Sequence, residues 1–255
     1  MKLKPPSPSE LGDRLRDTEV WKSIFRPGSI FRRGYKDTSR DRALATMNNV
    51  LYHLHPVKVK RHGLKLTYTF CLGGLSFFLF ILLTITGIFL MFFYRPMADI
   101  GGAVAYADMQ SIRTTVFFGD LVRNLHRWGA HLMVFTVFLH MARVFYTGAY
   151  KAPREFNWII GVVLLFLTGA LSFTGYLLPW DQLALWAVTV GTNIAGYSPV
   201  IRKNFAFVLL GGVEITGTTL LRWYVLHVLA LPFIIIILMS IHFWRVRKDG
   251  FSGPL

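Results

Sequence analysis

Histidine is the residue type in this chain best suited to metal chemistry, and four of the eight histidines fall into pairs at matched intervals. His126 and His140 are 14 residues apart, and His227 and His242 are 15 apart. On a helix these intervals measure about 21 and 22 Å, and they return to within about 40° and 60° of the starting direction. Each helix then presents two imidazoles on one face, one towards either end. With the two helices running the same way, His126 stands level with His227 and His140 with His242. Two imidazoles facing each other across a helical bundle suit one planar metal macrocycle, and bis-histidine ligation of haem iron satisfies that geometry twice here. Scattered packing histidines would leave the matched spacing without a role. His131 is the internal control: about 140° from His126 and about 180° from His140 around the helix, it points away from both. It reads as a polar packing or interface residue. His53, His55 and His62 read as surface residues near lipid headgroups, a second metal site there being the weaker alternative.

The elements that must carry these histidines are long and apolar. No Asp, Glu, Lys or Arg occurs from Leu66 to Tyr94, from Phe156 to Trp180 or from Trp223 to Trp244. A membrane-spanning helix needs roughly 20 apolar residues, so each run suffices. A fourth run, Trp128 to Ala142, lies between Arg127 and Arg143 and reaches spanning length with Leu125, His126 and Val144 to Tyr146. The spacing therefore predicts spans at about 66–94, 125–147, 156–180 and 223–244. This is an all-α fold, a transmembrane four-helix bundle enclosing haems. Ionisable residues within such spans are functional candidates by default. Glycines support the reading: Gly73 and Gly87 are 14 apart in the first span, as are Gly161 and Gly175 in the third. They would let flat cofactors press against those helices, although small-residue helix packing gives the same pattern.

Composition agrees. The 255 residues are 53% hydrophobic and only 16% charged, against about 25% charged in soluble domains. A single cysteine excludes an intrachain disulfide framework and CxxC-type zinc or redox sites. The net charge of +15 is a matter of topology. Of the Lys and Arg residues, 21 fall on the side of the termini and 7 on the other. The positive-inside rule then places both termini in the cytoplasm and removes the case for a nucleic-acid partner. No apolar stretch before residue 66 resembles a signal peptide, and Arg32-Arg33 is not followed by a hydrophobic region. Residues 1–62 form a basic N-terminal cytoplasmic extension; 1–40 read as loosely structured, and 41–56 suit an amphipathic helix along the membrane surface. Residues 63–255 form the di-haem domain. The far-side connections, about 95–124 and 181–221, are long enough to imply function.

Four stretches carry a family resemblance: His126-Arg127-Trp128, Leu139-His140-Met141-Ala142-Arg143, Gly175 to Gln182 (GYLLPWDQ) and Arg247 to Leu255 (RKDGFSGPL). They resemble cytochrome b6, the short four-helix cytochrome b of quinol-oxidising bc/b6f-type complexes, over roughly residues 64–255. The 15-residue interval between His227 and His242 is also that of the short form. The resemblance implies two b-type haems, with His126 and His227 holding the one nearer the positive side and His140 and His242 the one nearer the cytoplasm. It implies haem-propionate contacts for Arg123, Arg127 and Arg143, with Arg247 a further cofactor-binding candidate. Taken singly, each Arg is also explained by interfacial snorkelling. Cys71 matches the cysteine that holds an additional haem by one thioether bond, the alternative being a small buried apolar side chain. The basic residues 1–40 lie outside the family pattern and suit anionic lipid or a partner subunit.

The function implied is electron transfer within a quinol:cytochrome c or similar oxidoreductase of the bacterial cytoplasmic membrane, inactive as a single chain. Pro179, Trp180 and Asp181 resemble one wall of the quinol-oxidation pocket. The Pro-Glu-Trp-Tyr motif of the other wall does not occur here, so a separate membrane subunit must supply it. The resemblance further implies a Rieske iron–sulfur protein, a c-type cytochrome subunit and a dimeric complex, with quinol and quinone as substrates. Two rival readings are a di-haem membrane anchor of a dehydrogenase or hydrogenase, and a haem-free transporter or structural anchor. The first would not be expected to share the Pro-Trp-Asp-Gln segment; the second leaves the histidine pairs idle.

Overall fold

The computed structural model describes residues 8–25, 38–41, 65–98, 104–197, 207–212, 214–250 and 252. Nearly all of the surface helix expected at 41–56, with His53, His55 and His62, lies outside the described residues. Helices in chain order are α1 (Pro8–Asp17), α2 (Glu19–Phe25), α3 (Leu66–Thr69), α4 (Leu72–Met91), α5 (Val104–Thr114), α6 (Gly119–Tyr146), α7 (Glu155–Leu177) and α8 (Gln182–Tyr197). Then come α9 (Gly217–Val225), a π turn (Leu226–Ala230) and α10 (Leu231–Asp249), continuous with one another. Four helices are long and apolar enough to cross a membrane: α4, α6, α7 and the continuous run Gly217–Asp249.

The boundaries differ from the sequence expectation for physical reasons. The first charge-free run is not one helix, because Phe70 and Cys71 take left-handed backbone angles (φ 51° and 50°) and separate α3 from α4. The Phe70 N–H closes α3 on the Leu66 carbonyl at 2.7 Å. Hydropathy cannot register such a break, since both residues are apolar. The second and fourth spans extend further than expected, because Gly119 to Asn124 and Gly217 to Arg222 continue the helices through polar residues. The N-terminal segment read as loosely structured contains α1 and α2. Glu10 sits in the first turn of α1 and Arg14 and Arg16 in its last, matching the helix dipole. The long connections contain α5 and α8, both shorter than a span.

The π turn has an identifiable cause. Pro232 carries no N–H to offer the Val228 carbonyl, and a proline ring crowds the carbonyl four residues earlier. The helix widens there instead, with the Leu231 N–H bonding the Leu226 carbonyl. One residue is taken up by the wide turn. The 15-residue interval from His227 to His242 thus keeps nearly the angular phase of a 14-residue one.

The described residues group into two compact units. In the unit comprising 72–139 and 165–237 the usual polarity is inverted. Phe78, Ile85, Phe135 and Phe166 face outward, while Ser76, Thr86, Thr136 and Thr174 are buried, as expected where the surroundings are lipid. Ser76 and Thr136 join α4 to α6 by a 3.2 Å hydrogen bond. Tyr94, Ala105, Ile112 and Leu220 form one buried cluster, against which Leu178, Trp180 and Tyr224 pack. In the other unit, which includes 140–164 and 238–255, Asn157, Ile160 and Arg245 are buried. Arg245 pairs with Asp249 at 2.9 Å, the two side chains 1% and 0% exposed.

Two facing imidazole pairs as the candidate functional site

In the 72–139/165–237 unit, α6 supplies His126 and the π turn supplies His227. Their ring centroids lie 6.3 Å apart with the planes at 72°. Each ring is held by its Nδ1 atom. That of His126 lies 2.9 Å from Thr86 Oγ1. That of His227 lies 3.0 Å from Thr174 Oγ1 and 3.1 Å from the Leu171 carbonyl. A carbonyl can only accept, so His227 carries its proton on Nδ1 and leaves Nε2 with a free lone pair.

In the other unit, His140 of α6 and His242 of α10 repeat the arrangement, with centroids 6.4 Å apart and planes at 80°. The support differs. Nδ1 of His140 and Nδ1 of His242 are both buried without a hydrogen-bond partner.

These separations test the fit of a metal macrocycle. An iron bound by one nitrogen from each ring, at about 2.0 Å per bond with about 1.1 Å from nitrogen to ring centre, separates the centroids by about 6.2 Å. Both pairs match that value. Among the described residues no group of three or more His, Cys, Asp or Glu side chains gathers to hold a bare metal ion. Two imidazoles alone are an incomplete donor set, so each pair would suit a metal that brings further donors of its own.

The glycines serve the imidazoles directly. A Cβ on Gly175 would sit 2.6 Å from Cε1 of His227, and one on Gly87 3.2 Å from Cε1 of His126. On Gly161 it would meet Cε1 of His242 at 3.7 Å, an ordinary contact. Gly73 lies in the first turn of α4. His131 is exposed and lies 5.6 Å from Trp128, edge to face, away from both pairs.

Arg123 and Arg143 are half-buried, each with a buried Nε that has no hydrogen-bond partner. The Arg143 guanidinium lies over the Tyr68 ring. Arg127 is exposed, and Arg247 is half-buried in the last turn of α10. Cys71 is exposed at the α3–α4 break, its N–H bonded to Thr69 Oγ1 at 3.2 Å. Pro179, Trp180 and Asp181 form the turn between α7 and α8. Trp180 is left-handed there (φ 52°). Asp181 caps α8, its Oδ1 accepting from the Ala184 N–H at 2.8 Å.

Sequence reading missed Thr86 and Thr174, although each immediately precedes a glycine that faces an imidazole. It also missed the Arg245–Asp249 pair and the contacts of Tyr94, Arg95 and Asp108.

Fold and site together define a helical integral membrane protein that carries two facing imidazole pairs. Residues 57–250 match the family described as Cytochrome b/b6/petB. The chain belongs to the cytochrome b/b6 family, and b-type haem is the cofactor this family implies. It is 45% identical over 201 residues to a protein named cytochrome b6 from Heliomicrobium gestii, covering 79% of this chain and 91% of that one. It is 44% identical over 189 residues to the menaquinol:cytochrome c reductase cytochrome b subunit of Bacillus subtilis (strain 168), covering 74% and 83%. Among solved structures it resembles a chain of a hyperthermophilic respiratory Complex III, with TM-score 0.65 and 30% identity over 86% of this chain. It spans about half of that chain's length (55%).

Proposed function

We infer that this chain is the haem-bearing, electron-transferring subunit of a quinol-oxidising complex that passes electrons to cytochrome c or a similar acceptor. The observation that carries the reading is the pair of imidazole separations, 6.3 and 6.4 Å, each of the size that an iron between two rings requires. The relative named a menaquinol:cytochrome c reductase subunit supports quinol as the reductant. Bound haem would supply one-electron chemistry at each seat. His126 and His227 would hold one b-type haem and His140 and His242 the other. Thr86, Thr174 and the Leu171 carbonyl hold the rings of the first pair at Nδ1, which would leave Nε2 to bind the metal. Arg123 and Arg143, with unpartnered buried Nε atoms, are suited to bind haem propionates, and Arg127 and Arg247 could add to this from more open positions. Cys71, exposed at a break between helices, would bind an additional haem through one thioether bond.

The Pro179–Asp181 turn would line the quinol-oxidation pocket, a separate small membrane subunit completing it. A Rieske protein, a c-type cytochrome and a second copy of the complex are the remaining partners, with both termini cytoplasmic.

Acid–acetone extraction of the purified complex, with haemochrome spectra of extract and residue, tests this. Two extractable haems per chain and one left on the 29.1 kDa polypeptide are expected. No attached haem would remove Cys71 from the cofactor set, and no haem at all would overturn the reading.

A further inference from the structure

We propose that Tyr94 is a positioning residue for the Pro179–Trp180–Asp181 turn, and that Asp108 keeps Tyr94 in place. This rests on the reading of that turn as a quinol-pocket wall. Helix α7 stops at Leu177 because Pro179 disfavours helical backbone in the residue before it. A helix end leaves carbonyls without partners, and the Leu178 carbonyl, directly before Pro179, is one of them. The Tyr94 hydroxyl donates to it at 2.6 Å. Tyr94 itself is 8% exposed and its ring lies 5.7 Å from that of Tyr224. Trp180 packs against the same buried cluster. Its left-handed backbone is a conformation that persists only where the surroundings enforce it.

The residue after Tyr94 is tied down three times by one carboxylate. Asp108 Oδ2 accepts from the Arg95 backbone N–H at 2.9 Å and from Nε at 3.0 Å, and Oδ1 accepts from Nη2 at 2.7 Å. Asp108 projects from α5, one turn after Ala105 and one before Ile112, both wholly buried. The chain of support therefore runs from α5 through Asp108 and Arg95 to Tyr94, and from its hydroxyl to the turn. No atom in this chain touches an imidazole pair. Its loss should alter how quinol is held while leaving haem content unchanged.

The test uses the whole complex. Tyr94→Phe keeps the ring and removes the hydroxyl. It should raise KM for quinol about three- to tenfold, in line with the loss of one hydrogen bond. Turnover at saturating quinol, the extractable haem and the reduced-minus-oxidised spectrum should stay as in the parent. Asp108→Asn should shift KM the same way by less, and Asp108→Glu should restore it in part. An unchanged KM in Tyr94→Phe would overturn the proposal, as would a Tyr94→Phe chain that fails to assemble beside an assembled Asp108→Asn complex with unchanged KM. Trp180→Ala separates this from the parent reading. If Trp180→Ala leaves KM unaltered, the turn is not a pocket wall. If Trp180→Ala raises it while Tyr94→Phe does not, the wall stands and the positioning role falls.

Discussion

His126 and His227 each have a hydroxyl at Nδ1, whereas Nδ1 of His140 and of His242 is buried without a hydrogen-bond partner. The ring separations nevertheless agree to 0.1 Å, 6.3 against 6.4 Å. Equal spacing is thus reached in two ways. In the first pair the polar neighbours dictate ring orientation, and Gly175 and Gly87 are tight against the imidazoles. In the second pair no hydrogen bond holds Nδ1 of either ring, and the nearby polar feature is a buried ion pair, Arg245–Asp249, one to two turns beyond His242 on the same helix. The first pair should be sensitive to small local changes; the second should depend on the integrity of the unit that contains it.

Four outcomes would sharpen or break that contrast. Asp249→Asn leaves Arg245 buried with a neutral partner, and breaking such a pair costs about 3–5 kcal/mol. Thermal unfolding followed by haem absorbance should show the His140/His242 haem lost first; equal loss at both seats would contradict the division of support. Gly175→Ala forces a methyl to 2.6 Å from His227, and overpacking of this kind costs about 1–3 kcal/mol. Gly161→Ala, with 3.7 Å available, should be nearly silent in the same spectra. Thr174→Val should weaken haem retention at the His126/His227 seat by about 10- to 100-fold, the usual effect of removing a ligand's outer partner. The His140/His242 spectrum should not move.

A further small effect is that of pH on the Asp108 contact. Hydrogen bonding from the Arg95 side chain holds the Asp108 carboxyl below its ordinary 3.8, against the opposing effect of burial. A lowered folded value means that the ionised group stabilises the fold above pH 3.8 and that this support is lost as pH falls through the folded value. Pepsin cleavage around α5 should therefore begin only below pH 3.8 in the parent, and at that pH or above in Asp108→Asn. High salt should narrow the difference, because Arg95 is largely exposed.

How much of this was legible in the sequence follows from what each feature depends on. The histidine pairs were readable because residue type and interval both carry information. The bundle was readable because lipid demands long charge-free runs. The threonine partners were not, since Thr-Gly occurs also at 168–169, where the glycine faces open space. Of the five Thr-Gly pairs in the sequence, three lie within α4 and α7, and only the relative rotation of helices distinguishes those three. Helices α5 and α8 escaped because a run shorter than about 20 residues gives no spanning signal. The Phe70–Cys71 break escaped because backbone angle leaves no trace in hydropathy. Asp181 was placed in the pocket wall by resemblance, and its helix-capping role required coordinates.

The wide turn at Leu226–Ala230 bears on how such a helix tolerates change over generations. Adding or deleting one residue in an ordinary α-helix rotates everything beyond it by about 100°, which would swing one histidine away from its partner ring. A helix that can bulge locally absorbs the edit within one turn and leaves both imidazoles aimed as before. Chain length between the two seats is therefore not a strict inheritance. The count of residues and the direction of the side chains can drift apart, and Pro232 marks where that slack is stored.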